Sequence, residues 1–292
     1  MRARARGKGQ EQAPAKQLPV QWEELTASDF PAAVKKAKGV CLLPIGVFEK
    51  HGMHLPLGTD VFASRAVAVG AAQEEYAVVF PWYYFGQINE ARHEPGCVSI
   101  RPELLNVLLE NMCDEIARNG FDKILIVNGH GGNTNWLNFF LETLLAEPRE
   151  YAVYVARRDM DQEISKQVES KRKTSWGGHG DEVETSWIMA IREDLVQLDR
   201  AAQNNGRPRG NLDHLPGAKT SIWWYADFPQ HYAGDARPAN LELGKLALKG
   251  KIKSLVEVLR AVKVDTAACR LQDEFYARIN TPLSGRGAPK GR

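Results

Sequence analysis

Short apolar runs alternate with longer amphipathic segments through most of this 292-residue chain. The run Val40–Ile45 is uninterrupted, which is typical of a parallel strand that is buried on both faces. Segments with apolar residues at helical spacing follow such runs, as in the stretch that begins at Pro102. The predicted strands are Val40–Ile45 and residues 77–80, 123–127 and 151–155. The predicted helices are residues 61–76 with Asp60 as N-cap, 102–120, 135–145, 182–191 and 241–262.

This alternation predicts an α/β fold with a mainly parallel central sheet, flanked by helices on both faces. With 43% hydrophobic residues, a chain of this length can bury a sizeable core. We expect a single catalytic domain at residues 19–280. The segments 1–18 and 281–292 are rich in Gly, Pro and charge without periodicity, and we predict that both are disordered tails.

The positive charge is concentrated at the start of the chain. Five basic residues against Glu11 give the first 16 residues a net charge of +4, whereas the whole chain carries +2. The remainder is therefore net −2, which does not predict a nucleic-acid-binding body. A basic arm for nucleic acid is the alternative to a solvated tail, but no aromatic residue interleaves these charges before Trp22. We expect no nucleic-acid partner.

The four cysteines are widely spaced and form no Cys-x-x-Cys pair. Cys41 and Cys113 lie in apolar patterns, which indicates small buried side chains rather than disulfides. Cysteine use of this kind fits a reducing cytoplasm. We found no signal-peptide pattern and no apolar run long enough to span a bilayer, so we expect no membrane partner.

Candidate metal ligands follow the first predicted strand. Glu49 and His51 are two residues apart, so in an extended segment their side chains point the same way. Asp60 comes nine residues later, after a turn rich in Gly and Pro. Glu, His and Asp supply the donors that Zn²⁺, Mn²⁺ or Fe²⁺ accept. The alternative is a polar loop with ordinary surface charges.

The strand predicted at residues 123–127 also leads into a candidate ligand. His130 lies in a loop of sequence Asn-Gly-His-Gly-Gly-Asn, residues 128–133. Glycines there allow backbone N–H groups to approach a ligand closely. A phosphate loop is the alternative, but the Gly-x-Gly-x-x-Gly fingerprint is absent and no Lys-Ser/Thr pair follows.

A third cluster combines glycines with His179 and an acidic segment that opens a predicted helix. Asp181 and Glu182 can be explained as compensation of the helix dipole at its N-terminus. That explanation does not cover His179, which leaves a functional role open.

Four segments resemble signatures of the creatininase family of amidohydrolases. The resemblance covers roughly residues 20–265. The segments are residues 44–60, 128–133, 179–186, and 232–235 together with Ala239 and Gly244. The match of residues 44–60 is highly specific for the family, and that of residues 128–133 is moderately specific. Residues 179–186 resemble the motif His-Ala-Gly-x-x-Glu-Thr-Ser.

The resemblance implies a three-layer α/β sandwich with two divalent metal ions per chain (Zn, Mn or Fe), usually in a homohexamer. By motif position, one ion would take His51, Asp60 and His130. Asp60 would bridge to a second ion that takes Glu49.

One position departs from creatininase itself. Creatininase has a Glu ligand two residues after the His of the second motif, where this chain has Gly132. The chain in this respect resembles the Gly-His-Gly-Gly-Asn branch of the family. We expect Glu184 to supply the missing carboxylate and to share the catalytic role with His179, the expected acid/base residue.

Two further segments are expected to edge the pocket. In residues 90–97, Arg92 and His93 are predicted to face the substrate, although a local ion pair of Arg92 with Glu94 is an equal alternative. Trp223 begins an aromatic run that is predicted to be a pocket wall, a subunit contact or core. Gly131 and Gly132 complete the expected substrate-binding set.

These residues predict a metal-dependent hydrolase of a small molecule, one that opens a small ring or cleaves a non-peptide amide with a metal-activated hydroxide. The alternatives within the family are C–C ring opening of a diketo-inositol, of the 3-dehydro-scyllo-inosose type, and peptide cleavage during cofactor maturation. A non-catalytic metal-binding protein on the same fold is a further alternative, which the full set of candidate ligands disfavours.

Overall fold

The computed structural model describes residues 17–156, 159–279 and 282–283. The predicted tails 1–18 and 281–292 therefore lie outside the described residues, apart from residues 17–18 and 282–283. The strands are β1 (Val40–Ile45), β2 (Val78–Val79), β3 (Lys123–Asn128) and β4 (Ala152–Val155). The helices are α1 (Phe30–Lys36), α2 (Thr59–Glu74), α3 (Pro102–Arg118), α4 (Asn133–Thr143), α5 (Gln162–Lys171), α6 (Glu182–Arg192), α7 (Trp223–Asp227), α8 (Leu241–Val264) and α9 (Ala267–Ile279).

Within the described residues, the strands form one parallel sheet in the order β2-β1-β3-β4. β1 and β3 lie at its centre and pair from Val40 opposite Lys123 to Ile45 opposite Asn128. Parallel neighbours end at the same edge of a sheet. The segments that follow β1 and β3 therefore leave the sheet side by side.

Helices cover both faces of the sheet, as the sequence predicts. Cys41 and Leu43 of β1 face one core, which also takes side chains from α1, α3 and α4. Leu42, between them, faces a second core with α2 and α8. Because successive strand residues point to opposite faces, the uninterrupted apolar run of β1 supplies both cores.

The four cysteines all lie within the described residues and none forms a disulfide. Cys41 and Cys113 are buried, as expected. No helix in residues 17–156 or 159–279 combines the length and the apolar character that a membrane span requires.

Two glycines allow α2 to approach the ends of the central strands. A Cβ atom on Gly46 would lie 2.5 Å from the backbone nitrogen of Val61, and one on Gly129 would lie 2.5 Å from the backbone oxygen of Asp60. Only glycine permits such contacts. The first turn of α2 is thereby held against both strand ends.

Several element boundaries differ from the prediction. The Asp60 N-cap is wrong, because α2 begins at Thr59 with Gly58 at its N-cap, so Asp60 lies inside the first turn. β2 is shorter than predicted, and α4 begins two residues early, directly after the glycine loop. Helices α1, α5, α7 and α9 were not predicted. α5 and α9 do have apolar residues at helical spacing, namely Ile164 and Val168 in α5 and Leu271, Phe275 and Ile279 in α9. Each stripe has about one apolar position per turn among polar and charged residues, which is narrower than the stripe of a core helix.

Candidate metal centre

A cavity of about 1080 Å³ opens where β1 and β3 end. It brings together nearly all the site residues that the sequence predicts, whereas His51 lies buried beneath its floor. The predicted residues that line it are Glu49, Asp60, Arg92, His93, His130, Gly131, Gly132, His179, Glu184 and Trp223.

Asp60 occupies the middle of the cluster and is 1% exposed. Its Oδ1 lies 3.3 Å from Nε2 of His51, and its Oδ2 lies 2.9 Å from Nδ1 of His130. One carboxylate therefore faces two imidazoles through different oxygens, which is the arrangement that a bridging ligand needs.

Glu49 faces imidazoles through both of its oxygens. Its Oε1 lies 2.7 Å from Nδ1 of His130 and 3.7 Å from Nε2 of His51. Its Oε2 lies 2.5 Å from Nε2 of His231 and 3.7 Å from Nε2 of His179. The carboxylate is 1% exposed, so imidazole rings and not water surround its charge.

The short distances at the centre do not correspond to satisfied hydrogen bonds. In the part of the chain that the structure describes, Glu49 Oε1, His51 Nε2 and Asp60 Oδ2 are buried and lack a hydrogen-bond partner. A buried unpaired polar atom costs about 1–3 kcal/mol. Donor atoms that converge in this way, from Glu, His and Asp, fit a divalent metal ion.

Glu184 extends this cluster from the first turn of α6. Its Oε1 lies 3.8 Å from Nε2 of His51, and its Oε2 accepts a hydrogen bond of 2.6 Å from the backbone N–H of Gly180. Burial raises the pKa of Glu184, against the opposing effect of His51. The carboxylate expected from the third motif therefore lies beside the first motif. Asp181 is the N-cap of α6, in line with the dipole explanation.

The candidate donor atoms fall into groups that differ from the assignment that the resemblance implies. Asp60, Glu49 and His130 have donor atoms within 4.8 Å of one another, whereas His51 lies nearer to the other oxygen of Asp60. His51, His179 and Glu184 form a second group of donors at the same spacing. By distance, His130 therefore groups with Glu49 and Asp60, and His51 groups with Glu184.

The protonation of the cluster follows from its burial and its charges. Burial opposes protonation of His51, but Glu184, Asp60 and Glu49 outweigh it and raise the pKa of His51 to about 10. Burial likewise opposes protonation of His130, but the charges of Glu49 and Asp60 outweigh it and raise the pKa of His130 well above its usual value. Burial opposes ionisation of Glu49, but His130 and the other rings hold its pKa well below the usual range.

The pKa of His179 is shifted in the opposite direction to that of His51 and His130. Its ring stacks on His51 with centroids 4.1 Å apart, and its Nε2 lies 2.8 Å from the backbone oxygen of Lys50. Burial and the neighbouring charge of His51 lower the pKa of His179 well below the usual value. A neutral imidazole at the cavity wall can accept a proton.

The space beside Gly132 is filled by another residue. A Cβ atom on Gly132 would lie 2.4 Å from Nε2 of His130 and 2.7 Å from Oε1 of Glu90. Glu90 accepts a hydrogen bond of 2.9 Å from Nε2 of Gln87, and both side chains line the cavity. Sequence reasoning did not assign Glu90, although the segment that holds it was expected to edge the pocket.

His231 was also missed by sequence reasoning. It is 1% exposed, contacts Glu49 and lines the cavity. It stands in an aromatic run far along the chain, and no spacing links it to the first motif. A non-glycine residue with a positive φ, here +49°, is uncommon in folded proteins.

The outer wall of the cavity combines polar and aromatic side chains. Nε2 of His93 lies 3.0 Å from the backbone oxygen of Pro229, and its ring packs edge-on against Tyr225. Glu94 pairs with Lys50 at 2.9 Å, and not with Arg92 as in the alternative interpretation. Trp223 is 52% exposed and lines the cavity, whereas Tyr232 at the end of the aromatic run is buried in a small core cluster. The run is therefore partly pocket wall and partly core.

A sequence model described as "Creatininase: Creatinine amidohydrolase" matches residues 23–259. The chain belongs to the creatininase family. Family membership indicates a hydrolase that acts on amide or related bonds, and the fold agrees with that of solved creatininases.

Three relatives of this creatininase-family protein carry different names. Creatinine amidohydrolase of Pseudomonas putida is 28% identical over 267 residues, which cover 86% of this chain and 96% of the relative. The mycofactocin precursor peptide peptidase of Mycolicibacterium smegmatis is 33% identical, over 59% of this chain and 65% of the relative. The 3-dehydro-scyllo-inosose hydrolase of Thermotoga maritima is 23% identical, over 76% of each chain.

Solved creatininase structures share the fold. A crystal structure of creatinine amidohydrolase superposes with a TM-score of 0.71 at 24% identity, over 86% of this chain and all of the other. A manganese form of creatininase gives a TM-score of 0.70 at 25% identity, over 85% and 100% of the two chains. A variant of the Zn–Zn type gives 0.70 at 24% identity over the same shares. Those creatininase structures thus carry zinc or manganese.

Proposed function

We propose that this protein is a metal-dependent hydrolase that opens a small ring or cleaves a non-peptide amide C–N bond. The observation that carries the proposal is the convergence of unpaired, buried donor atoms from Glu49, His51 and Asp60. Glu184 and His130 complete the ligand set that we assign to two divalent ions. Bound there, such ions lower the pKa of a coordinated water and polarise a substrate carbonyl.

The chain's own residues supply the proton transfer and part of the substrate binding. His179 lines the cavity. Because its Nε2–H donates to the backbone oxygen of Lys50, Nδ1 is the nitrogen that can take a proton from the attacking water. It can then deliver this proton to the leaving nitrogen. Gly131 and Gly132 bring the N-terminus of α4 to the cavity, where the positive end of the helix dipole favours a developing negative charge.

We also propose that the chain belongs to the Gly-His-Gly-Gly-Asn branch of the family. Glu90 supports this proposal, because its carboxylate fills the space that a side chain at position 132 would occupy. A Glu at position 132 would collide with both Glu90 and His130. Our assignment therefore places the missing carboxylate on Glu184, with Glu90 lining the cavity beside His130.

Ring opening of a diketo-inositol is a second candidate function. Arg92, His93 and Glu90 line the cavity and would suit hydroxyl groups on a polyhydroxylated ring. The inosose hydrolase of Thermotoga maritima shows that the family includes a protein of that name. A peptide amide is a further candidate, since a cavity of about 1080 Å³ is at the upper end for a small-molecule site.

A substrate panel on metal-loaded protein would separate these functions. The panel should contain creatinine, a formamidopyrimidine, a diketo-inositol and a short peptide, each analysed by mass spectrometry with and without exhaustive chelation. We expect hydrolysis of a cyclic or formyl amide, which chelation abolishes and added Zn²⁺ or Mn²⁺ restores. Full activity after chelation would refute the metal-dependent mechanism. Metal binding without turnover of any substrate would favour the non-catalytic alternative.

A further inference from the structure

A hydrogen-bonded chain of side chains connects the aromatic wall to the metal centre. The indole Nε1–H of Trp224 donates to Nδ1 of His231 at 2.9 Å. Nε2 of the same ring lies 2.5 Å from Oε2 of Glu49. Trp224 and His231 lie only seven residues apart, whereas Glu49 is 182 residues away in sequence. The fold therefore joins two distant segments at a single imidazole.

The direction of each hydrogen bond follows from the chemistry of the indole. An indole nitrogen can donate but cannot accept. Nδ1 of His231 must therefore present its lone pair to Trp224, and the proton of the neutral ring is on Nε2. That N–H donates to the carboxylate of Glu49. The contact with Trp224 thus fixes the tautomer of His231.

The same geometry argues against His231 as a metal ligand. Glu49, His179 and His231 have donor atoms within 4.8 Å of one another, and this spacing alone would permit a third ion. A ligating imidazole needs a free lone pair on the nitrogen that faces the metal. In His231, one nitrogen accepts from Trp224 and the other carries its proton toward Glu49, so neither is free.

We propose that His231 is a positioning residue that orients Glu49 for the metal centre, with Trp224 setting its tautomer. This inference rests on the proposed metal-dependent function. With Oε2 of Glu49 occupied by His231, Oε1 is directed toward His130 and Asp60, where it lacks a hydrogen-bond partner among the described residues. Hydrogen-bonded partners of this kind orient metal ligands in many sites. The positive φ of His231 fits the pattern that uncommon backbone conformations persist at functional sites.

The tautomer can be measured on the unmodified protein. The chain contains seven histidines, which can be labelled with ¹⁵N and observed through long-range ¹H–¹⁵N correlations after zinc loading. The signals of His231 are those that disappear in His231→Asn. We expect a neutral ring with the proton on Nε2. A ring with its proton on Nδ1 would overturn the proposal, as would scalar coupling of a His231 nitrogen to ¹¹³Cd in the cadmium-loaded protein.

Two substitutions at His231 test the role in metal binding. His231→Asn tolerates the backbone conformation and can still accept from Trp224, but its side chain is too short to reach Glu49. His231→Gln places an amide N–H near the position of Nε2. We expect His231→Asn to weaken Zn²⁺ binding by about 10–100-fold in competition with a chromogenic chelator. His231→Gln should restore most of that loss. Equal affinity of wild type and His231→Asn would overturn the proposal, as would equal losses in both variants.

Substitutions at two tryptophans provide a matched pair. Trp224→Phe keeps an aromatic ring but removes the N–H that donates to His231, and we expect it to weaken Zn²⁺ binding several-fold, to a smaller extent than His231→Asn. Trp82→Phe removes a half-exposed indole that does not line the cavity and should leave the Zn²⁺ affinity unchanged. Equal effects of the two substitutions would contradict the role given to Trp224. If the wild-type protein bound no metal at all, the proposed function itself would fail. That outcome is distinct from a wild-type protein that binds metal and variants whose affinities do not differ as expected.

Discussion

The two sides of the candidate metal centre are held in place by different means. On the strand-end side, Glu49, His51, Asp60 and His130 follow two adjacent parallel strands or begin α2, which packs against those strands through Gly46 and Gly129. On the loop side, His179, Glu184 and His231 come from segments more than a hundred residues further along the chain than the first motif. Glu184 is carried by α6, and His179 exchanges two backbone hydrogen bonds with Ala233. His231 is held through its side-chain contacts with Trp224 and Glu49.

This difference has a consequence for function. The strand-end side is fixed by two neighbouring strands of one sheet and by the start of α2, so its geometry should survive removal of the metal. The loop side is assembled from separate segments of the chain and adjoins the cavity wall near the aromatic segment, so it is where substrate specificity can vary within one fold.

Removal of the bridging carboxylate should abolish metal binding on both sides. We expect Asp60→Ala to lose both ions and to reduce hydrolytic activity to background, because each ion shares this ligand. Metal content per chain, measured by mass spectrometry after desalting, checks the prediction. Glu74→Gln, at the opposite end of the same helix, is the control and should retain both ions. Retention of both ions by Asp60→Ala would refute the bridging role.

Loss of the loop-side carboxylate should remove one ion only. We expect Glu184→Gln to bind a single ion, held by Glu49, Asp60 and His130, because the position beside His51 loses its carboxylate. Glu182 on the same helix is a matched control, since it accepts hydrogen bonds from the backbone of Lys173 and Thr174 instead of facing the centre. Glu182→Gln should lower thermal stability and keep both ions. Two tightly bound ions in Glu184→Gln would show that Glu184 is not a ligand.

Metal affinity should rise with pH. The surrounding carboxylates raise the pKa of His51 to about 10, so below that pH a proton occupies the metal-free ring. A bound metal must displace this proton, and the affinity should therefore increase roughly tenfold per pH unit for each proton released. Calorimetry in buffers of different ionisation enthalpy measures the release directly. Affinity that is independent of pH between 6 and 8, with no proton release, would show that His51 is already neutral in the metal-free protein.

Among these four predictions, a change in the packing of the strand-end side should have the smallest effect. Gly46→Ala places a methyl group 2.5 Å from the backbone nitrogen of Val61, and we expect a destabilisation of about 1–3 kcal/mol with a several-fold weaker metal affinity. In Gly70→Ala the added Cβ meets the flexible end of Ile252, which can move aside. A melting temperature of Gly46→Ala equal to that of Gly70→Ala would indicate that backbone packing does not fix this side.

The proximity of the strand-end residues could be predicted from the sequence for a physical reason. Glu49 and His130 follow continuous apolar strands, and parallel neighbours must end at the same edge of a sheet. The positions of the apolar runs in the sequence therefore predict that these two side chains lie close together. The parallel sheet and its two-sided helical cover followed from the same runs. The resemblance then pointed to Glu184 through the third motif, and the structure places its carboxylate near His51.

The rest of the candidate site depends on tertiary contacts that no local sequence pattern predicts. His231 contacts Glu49 across 182 residues, and Glu90 lies beside Gly132 only because the segment that holds it folds over the glycine loop. The start of α2 was misplaced because Asp60 has the chemistry of an N-cap, whereas the site uses its side chain. Helix α9 was missed although Leu271, Phe275 and Ile279 recur at helical spacing, because this stripe is narrow; its side chains also remain partly exposed.

Anomalous diffraction from crystals of the Zn²⁺- or Mn²⁺-loaded protein tests the central assignment most directly. The account predicts two peaks per chain, one on either side of Asp60. One peak should have Glu49 and His130 within about 2.0–2.2 Å, and the other should have His51 and Glu184 at similar distances. An empty site in crystals grown with excess metal, or peaks with Asp60 outside their coordination spheres, would contradict it.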